Sequence, residues 1–175
     1  NNQFSVKRAL VVCDHITDQD VLRLNAVLEG AVFSRDLVNE PLSYLTAEKL
    51  AEEITEKGRE AGFTVEVFNK KKIESLRMGG ILAVNKGSVD PPTFSILEWK
   101  PKNPVNDKPY VLVGKGVVYD TGGISLKPTS DSMDYMKCDM SGAAAVAGAF
   151  HAIAKAELPI HVIGLIPATD NRPDG

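Results

Sequence analysis

The chain has 175 residues, 43% apolar and 25% charged, and its 20 basic against 23 acidic side chains leave a net charge of −3. That is enough to bury a core and short for two full domains. With 14 Gly, 10 Pro and an acidic balance it excludes a disordered tail, a collagen-like repeat and a basic nucleic-acid arm.

The first residues, Asn1 to Arg8, lack a basic region followed by an apolar stretch, so no signal peptide is expected. No apolar run, Ala9 to Cys13 and Ala143 to Ala147 included, approaches the roughly 20 residues that cross a bilayer. The first residue is not Met, and the chain is expected to begin inside a longer protein. Cys13 and Cys138 have no local partner, which speaks against a disulfide framework or a cysteine zinc site and for a reducing compartment.

Asp18 is expected to cap a helix to Asn39, in which Val21, Leu24, Leu28 and Ala31 recur at helical spacing before Glu40-Pro41. Thr46 reads as a second N-cap, with Leu45 and Leu50 as a hydrophobic staple, Leu50, Ala51 and Ile54 as the buried stripe, and Gly62 as the stop. Phe63 to Phe68 alternates and is rich in β-branched and aromatic residues, the pattern of a strand. A short basic helix over Lys70 to Arg77 follows. After the Met78-Gly-Gly break, Ile81 to Val84 and Thr93 to Trp99 read as strands around the Asp90-Pro91-Pro92 turn. Lys100 to Pro109 is a loop. Tyr110 to Gly114 is nearly all apolar, as in a strand buried on both faces. Met140 to Ala156 suits a helix packed closely on a sheet, and Ile160 to Pro167 a further interior strand. Alternating helices and strands make a layered α/β sheet the fold that fits. The chain stops soon after an Asn171-Arg172-Pro173 turn, and is expected to be cut inside a domain.

Charge gathers between Gly114 and Asp139, at the end of an apolar strand and in the loop beyond it. Open α/β sheets place their sites there, because backbone and side chains face a crevice. Lys115 and Asp120, five apart, would face opposite ways on a regular strand, and converge only if the glycines kink it or Asp120 lies past its end. A divalent cation between them would hold Lys115 as a neutral amine ligand. A simple ion pair is the alternative and is favoured on residue types, because lysine is a rare metal ligand. Asp139 reads either as a cap of the following helix or as a second carboxylate on the crevice. Lys127 is either a surface lysine or an oxyanion stabiliser. Asp131 and Asp134 read as solvated. His15, His151 and His161 share no ligand spacing, no serine sits in a nucleophile elbow, and no phosphate-loop spacing is present. Cys138 reads as a small apolar residue.

The segments Val113-Gly-Lys-Gly-Val-Val-Tyr-Asp-Thr-Gly-Gly-Ile-Ser-Leu-Lys-Pro and Met133-Asp-Tyr-Met-Lys-Cys-Asp-Met-Ser-Gly-Ala-Ala closely resemble the metal-binding core of the leucyl aminopeptidases, the M17 or cytosol aminopeptidase family. Arg35 to Pro41, Met78 to Ser88 and Leu158 to Pro167 also resemble family segments. The resemblance implies a partial catalytic domain, a mixed sheet flanked by helices, over residues 41–175, preceded by the end of an N-terminal region and a linker helix over residues 1–40. It implies Lys115, Asp120 and Asp139 as ligands of two Zn²⁺ or Mn²⁺ ions, with Asp120 bridging. It further implies Lys127 as the catalytic lysine at the substrate carbonyl, and Met136 in the pocket for a leucine-like side chain. Lys115, Asp120, Lys127, Met136 and Asp139 would together meet a peptide substrate, whose hydrolysis uses a metal-activated water. A cytoplasmic homo-hexamer without a membrane partner is implied, and the net charge of −3 speaks against nucleic-acid binding, a side role of some family members. The family's second signature, Asn-Thr-Asp-Ala-Glu-Gly-Arg, does not occur in these residues. The alternative is therefore a non-catalytic structural or interaction fragment.

Overall fold

The computed structural model describes residues 10 and 12–173; Ala9 and Val11 of the first apolar run, and residues 174–175, lie outside them. In chain order the elements are α1 (Asp18–Asn39), α2 (Ala47–Ala61), β1 (Thr64–Phe68), α3 (Lys70–Ser75), α4 (Gly79–Val84), β2 (Thr93–Trp99), β3 (Tyr110–Val113), β4 (Gly116–Asp120), α5 (Ser141–Lys155) and β5 (Val162–Asn171). The expected α/β class holds. One mixed sheet runs β1-β2-β5-β3, and β4 continues the β3 position along β5. β1, β2 and β5 are antiparallel neighbours, whereas β3 and β4 lie parallel to β5. A parallel return needs a crossover, and α5 supplies it.

The core joins α2 and α5 to the sheet through Leu50, Ile54, Phe63, Leu97, Val118, Phe150 and Ile166, all buried. The second helix is as its sequence predicts: Thr46 accepts from the Lys49 N–H at 3.2 Å, and Gly62 closes it in the left-handed region at φ 94°. Phe63 and Phe150 meet edge to face at 5.5 Å.

Helix α1 has the expected limits but a different cap and a different buried face. Thr17, not Asp18, is the N-cap, in a reciprocal capping box with Asp20. Val21, Leu24, Leu28 and Ala31 are exposed; the helix buries Ala26, Gly30 and Leu37 instead. The reason is close approach to α5: a Cβ on Gly30 would strike the Gly148 backbone, and Ser34 Oγ donates to the Ala144 carbonyl at 2.8 Å. Small residues set this crossing, so the large ones face outward.

Three further expectations fail. Ile81 to Val84 lies in helix α4, since a four-residue apolar run carries no decisive period. The buried Asn85 that follows donates to the Asp90 carbonyl at 2.8 Å and to Thr169 Oγ1 at 3.1 Å, pinning the segment to β5. β3 is not buried on both faces: Tyr110, Val111 and Val113 are each more than half exposed, because β3 pairs only with β5. β5 runs four residues beyond its expected end, through Pro167 to Asn171. Leu165 accepts the Gly114 N–H at 2.9 Å, so by the two-residue period Pro167 turns the same edge to β3 and β4. It has no N–H to offer there, and the ladder lapses at Gly114 and Lys115.

Candidate metal centre

Lys115 occupies that lapse. On its inner side β5 offers no donor, and on its outer side the Lys115 carbonyl accepts from Ala143 N at 2.9 Å, at the start of α5. The helix comes so near that a Cβ on Gly114 would lie 2.7 Å from Ala143 Cα and from the Gly142 carbonyl oxygen. Glycine is required there by close approach. The side chain of Lys115 reaches Asp139, with Nζ 2.8 Å from Oδ2.

Asp120 ends β4, and its direction is set by an irregularity. Val117 pairs with Thr169 and Asp120 with Asn171, so three steps along β4 match two along β5. The extra residue is a bulge, which moves Asp120 onto the face that Lys115 shares with Val117. The opposite-face problem is thus resolved by a device that neither sequence alternative included. The two nevertheless form no ion pair with each other. Asp120 Oδ2 lies 3.0 Å from Lys127 Nζ, while Oδ1 accepts from the Gly122 N–H at 2.9 Å and from Asn171 Nδ2 at 2.7 Å. Burial alone raises the Asp120 carboxyl, but the Gly122 N–H, the Lys127 ammonium and the Asn171 amide outweigh it and hold it below the ordinary carboxylate range.

Lys127 is delivered by a tight loop. Gly122 and Gly123 take φ of 89° and 68°, and the Lys127 N–H returns to the Thr121 carbonyl at 2.9 Å. Met136 is half-buried in a 3-10 turn, Met133–Cys138, and its carbonyl accepts the Asp139 N–H at 3.2 Å. Tyr119 Oη holds the start of that turn at the Met133 carbonyl, 3.2 Å away. Asp139 does not cap α5, whose N-cap is Met140 without a side-chain bond. Asp131 and Asp134 are exposed, as expected, and Cys138 is half-buried. His151 and His161 pair with Glu29 and Glu98 at 3.0 and 2.8 Å, in structural positions.

Sequence reasoning missed Asn171 and Thr121. Asn171 orients Asp120, and Thr121 fixes Asn171 by donating to its carbonyl through N at 2.9 Å and Oγ1 at 2.8 Å. An asparagine at the carboxyl end of a parallel strand was the available signal, since that end faces the crevice. A cavity of about 440 Å³ lies elsewhere, between α1 and α2, lined by Phe33, Asp36, Leu37 and Tyr44.

The donor set suits a hard or borderline divalent cation. Asp139 Oδ2 is shielded from solvent and makes no aligned hydrogen bond, although Lys115 stands 2.8 Å away, so charge alone holds that pair. Two carboxylates and an amine fit Mn²⁺ or Zn²⁺. Among the described residues no three His, Cys, Asp or Glu side chains gather as a ligand cluster.

The sequence profile of the cytosol aminopeptidase family, catalytic domain, matches residues 32–175. This chain belongs to the cytosol aminopeptidase family. It is similar to a probable cytosol aminopeptidase of Chlorobaculum tepidum, 59% identical over 142 residues, which covers 81% of this chain and 28% of the relative. A counterpart from an Azoarcus species is 45% identical over 172 residues, covering 97% of this chain and 34% of its own length. Among solved structures, the leucine aminopeptidase of Caenorhabditis elegans superposes with a TM-score of 0.85 at 31% identity, over 98% of this chain and 36% of that one. The bottromycin maturation enzyme BotP in complex with Mn gives a TM-score of 0.82 at 38% identity, over 90% of this chain and 33% of that one. The chain thus spans under a third of the cytosol aminopeptidase of Chlorobaculum tepidum. No helix among the described residues is long and apolar enough to cross a membrane.

Proposed function

We propose that these residues form the first part of the catalytic domain of a metal-dependent aminopeptidase that releases N-terminal residues, preferably leucine, from peptides. The observation that carries this reading is the pairing of two partly buried carboxylates with two lysines around the two ends of β4, Asp139 with Lys115 and Asp120 with Lys127. Domain organisation follows the same reading: residues 1–40 end an N-terminal region and linker helix, and residues 41–175 open the catalytic domain.

Asp120, Asp139 and Lys115 would hold Zn²⁺ or Mn²⁺ on one side of a two-metal centre, with further ligands from residues outside this set. When bound, such ions supply Lewis acidity and a water of lowered pKa. Asp120 stays ionised for this role, because its three partners favour the charged form. Lys127 supplies a cation for the charge that develops on the scissile carbonyl oxygen. It is held beside Asp120 by the glycine loop, so that the charge is in place before substrate arrives. Met136 contributes a soft, adaptable contact to the pocket for the N-terminal side chain. A cytoplasmic homo-hexamer acting on peptides, without membrane or nucleic-acid partners, belongs to the same proposal.

The test is hydrolysis of a leucine chromogenic amide by the full-length protein after incubation with Mn²⁺ or Zn²⁺, beside its Asp120→Ala variant. Metal-dependent release that Asp120→Ala abolishes is the expected result. Hydrolysis unchanged in the variant, or none in the wild type with either metal, overturns the reading.

A further inference from the structure

We propose that Arg172 is a positioning residue for this centre, clamped between Asp170 and Asp90 so that the end of β5 presents Asn171 to Asp120. The proposal rests on the reading of Asp120 as a metal ligand. Asp170 is 1% exposed, and a carboxylate so placed persists only with a charged partner. Arg172 provides it: Nε bonds Asp170 Oδ2, while Nη2 bonds Asp90 Oδ2 and reaches Ser88 Oγ at 3.5 Å. The planar guanidinium can serve two carboxylates at once, which an ammonium cannot do with the same geometry.

Asp90 is itself fixed, because its carbonyl accepts from the buried Asn85 amide at 2.8 Å, and that amide also meets Thr169 at 3.1 Å. Arg172 bonds Asp90 directly, and Asp170 is joined to the segment from Asn85 to Asp90 through Arg172. Successive side chains in extended chain point to opposite faces, so locking 170 and 172 on one face commits Asn171 to the other. There its amide meets Asp120 Oδ1 at 2.7 Å. Groups that hydrogen-bond a ligating carboxylate set its orientation and thereby metal affinity.

The experiment uses full-length wild type, Arg172→Met, Arg172→Lys and Asp90→Asn, each treated with chelator. Crystal structures report the hydrogen bond from Asn171 to Asp120, calorimetry the Mn²⁺ affinity, and thermal unfolding the fold. We expect Arg172→Met to lose that hydrogen bond and to bind Mn²⁺ about tenfold more weakly. Arg172→Lys, which keeps a cation for Asp170 but cannot serve Asp90 with the same geometry, should fall between wild type and Arg172→Met in both readouts. Should Arg172→Met not fold, Asp90→Asn decides, since it cuts only the outer ion pair and should displace Asn171 in the same sense. An unmoved Asn171 in whichever of the two decides, or weaker Mn²⁺ binding with the hydrogen bond intact, overturns the proposal. A wild type that binds no Mn²⁺ refutes the metal reading instead, and the Asn171 geometry then judges the positioning role alone.

Discussion

Lys127 Nζ stands 3.0 Å from Asp120 Oδ2, across a loop whose first residues are fixed by left-handed glycines. The lysine is thus presented to the centre by the carboxylate it neutralises. Under the proposed function Lys127→Ala lowers kcat of the full-length enzyme by about 10²–10³-fold, as loss of one oxyanion donor does elsewhere. Steady-state kinetics with a leucine amide measure this; a kcat within a few-fold of wild type would remove Lys127 from the mechanism.

Asp120 gives a pH signature in metal-free protein. Its folded carboxyl sits below the ordinary range, so its stabilisation is complete above the unfolded pKa and is lost as pH falls through the lower folded one. Asp120→Asn should cost about 1.5–3 kcal/mol at pH 7, the worth of hydrogen bonds to a charged group. Urea unfolding of both proteins with chelator present should show the gap closing as the solution becomes acidic through the carboxylate range. A gap constant with pH contradicts the assignment.

Gly114→Ala forces a methyl group to within 2.7 Å of the α5 backbone. A destabilisation of about 1–3 kcal/mol is expected from overpacking, together with weaker metal binding because Lys115 is displaced. Gly122→Ala, at φ 89°, adds about 1–2 kcal/mol of backbone strain. Denaturant midpoints that match wild type in both variants would show that this backbone can yield.

The two helices near the N-terminus offer a direct contrast. Leu28→Gln on the outward face of α1 should change stability by less than about 0.5 kcal/mol, whereas Leu50→Ala in α2, fully buried, should cost about 2–5 kcal/mol. Equal losses by thermal unfolding would mean that the α1 face is covered in the protein as it exists.

What the sequence made legible was local. Thr46, Leu50, Ile54 and Gly62 specify α2 because cap, stripe and stop all agree. The resemblance drew Lys115, Asp120, Lys127 and Asp139 together as candidates, and the structure pairs them in twos. Illegible were features made by contacts between distant segments. The outward turn of Val21, Leu24 and Leu28 follows from Gly30 meeting Gly148, a tertiary fact. The exposure of β3 follows from its place in the sheet rather than from its composition. Asn171 emerged only once the bulge in β4 set Asp120 opposite it.

The bond from Ala143 N to the Lys115 carbonyl also joins parts of the molecule that look independent. α5 touches α1 at Gly148 and the candidate ligand at its first turn, so the helix works as a rigid rod between them. A methyl group added at Gly148 would meet Ser34 Oγ and the Gly30 carbonyl, and a shift of α5 that relieves it would move the N–H that holds the Lys115 carbonyl. Surveys that sort substitutions by distance from the chemistry will misfile this helix crossing as mere scaffold.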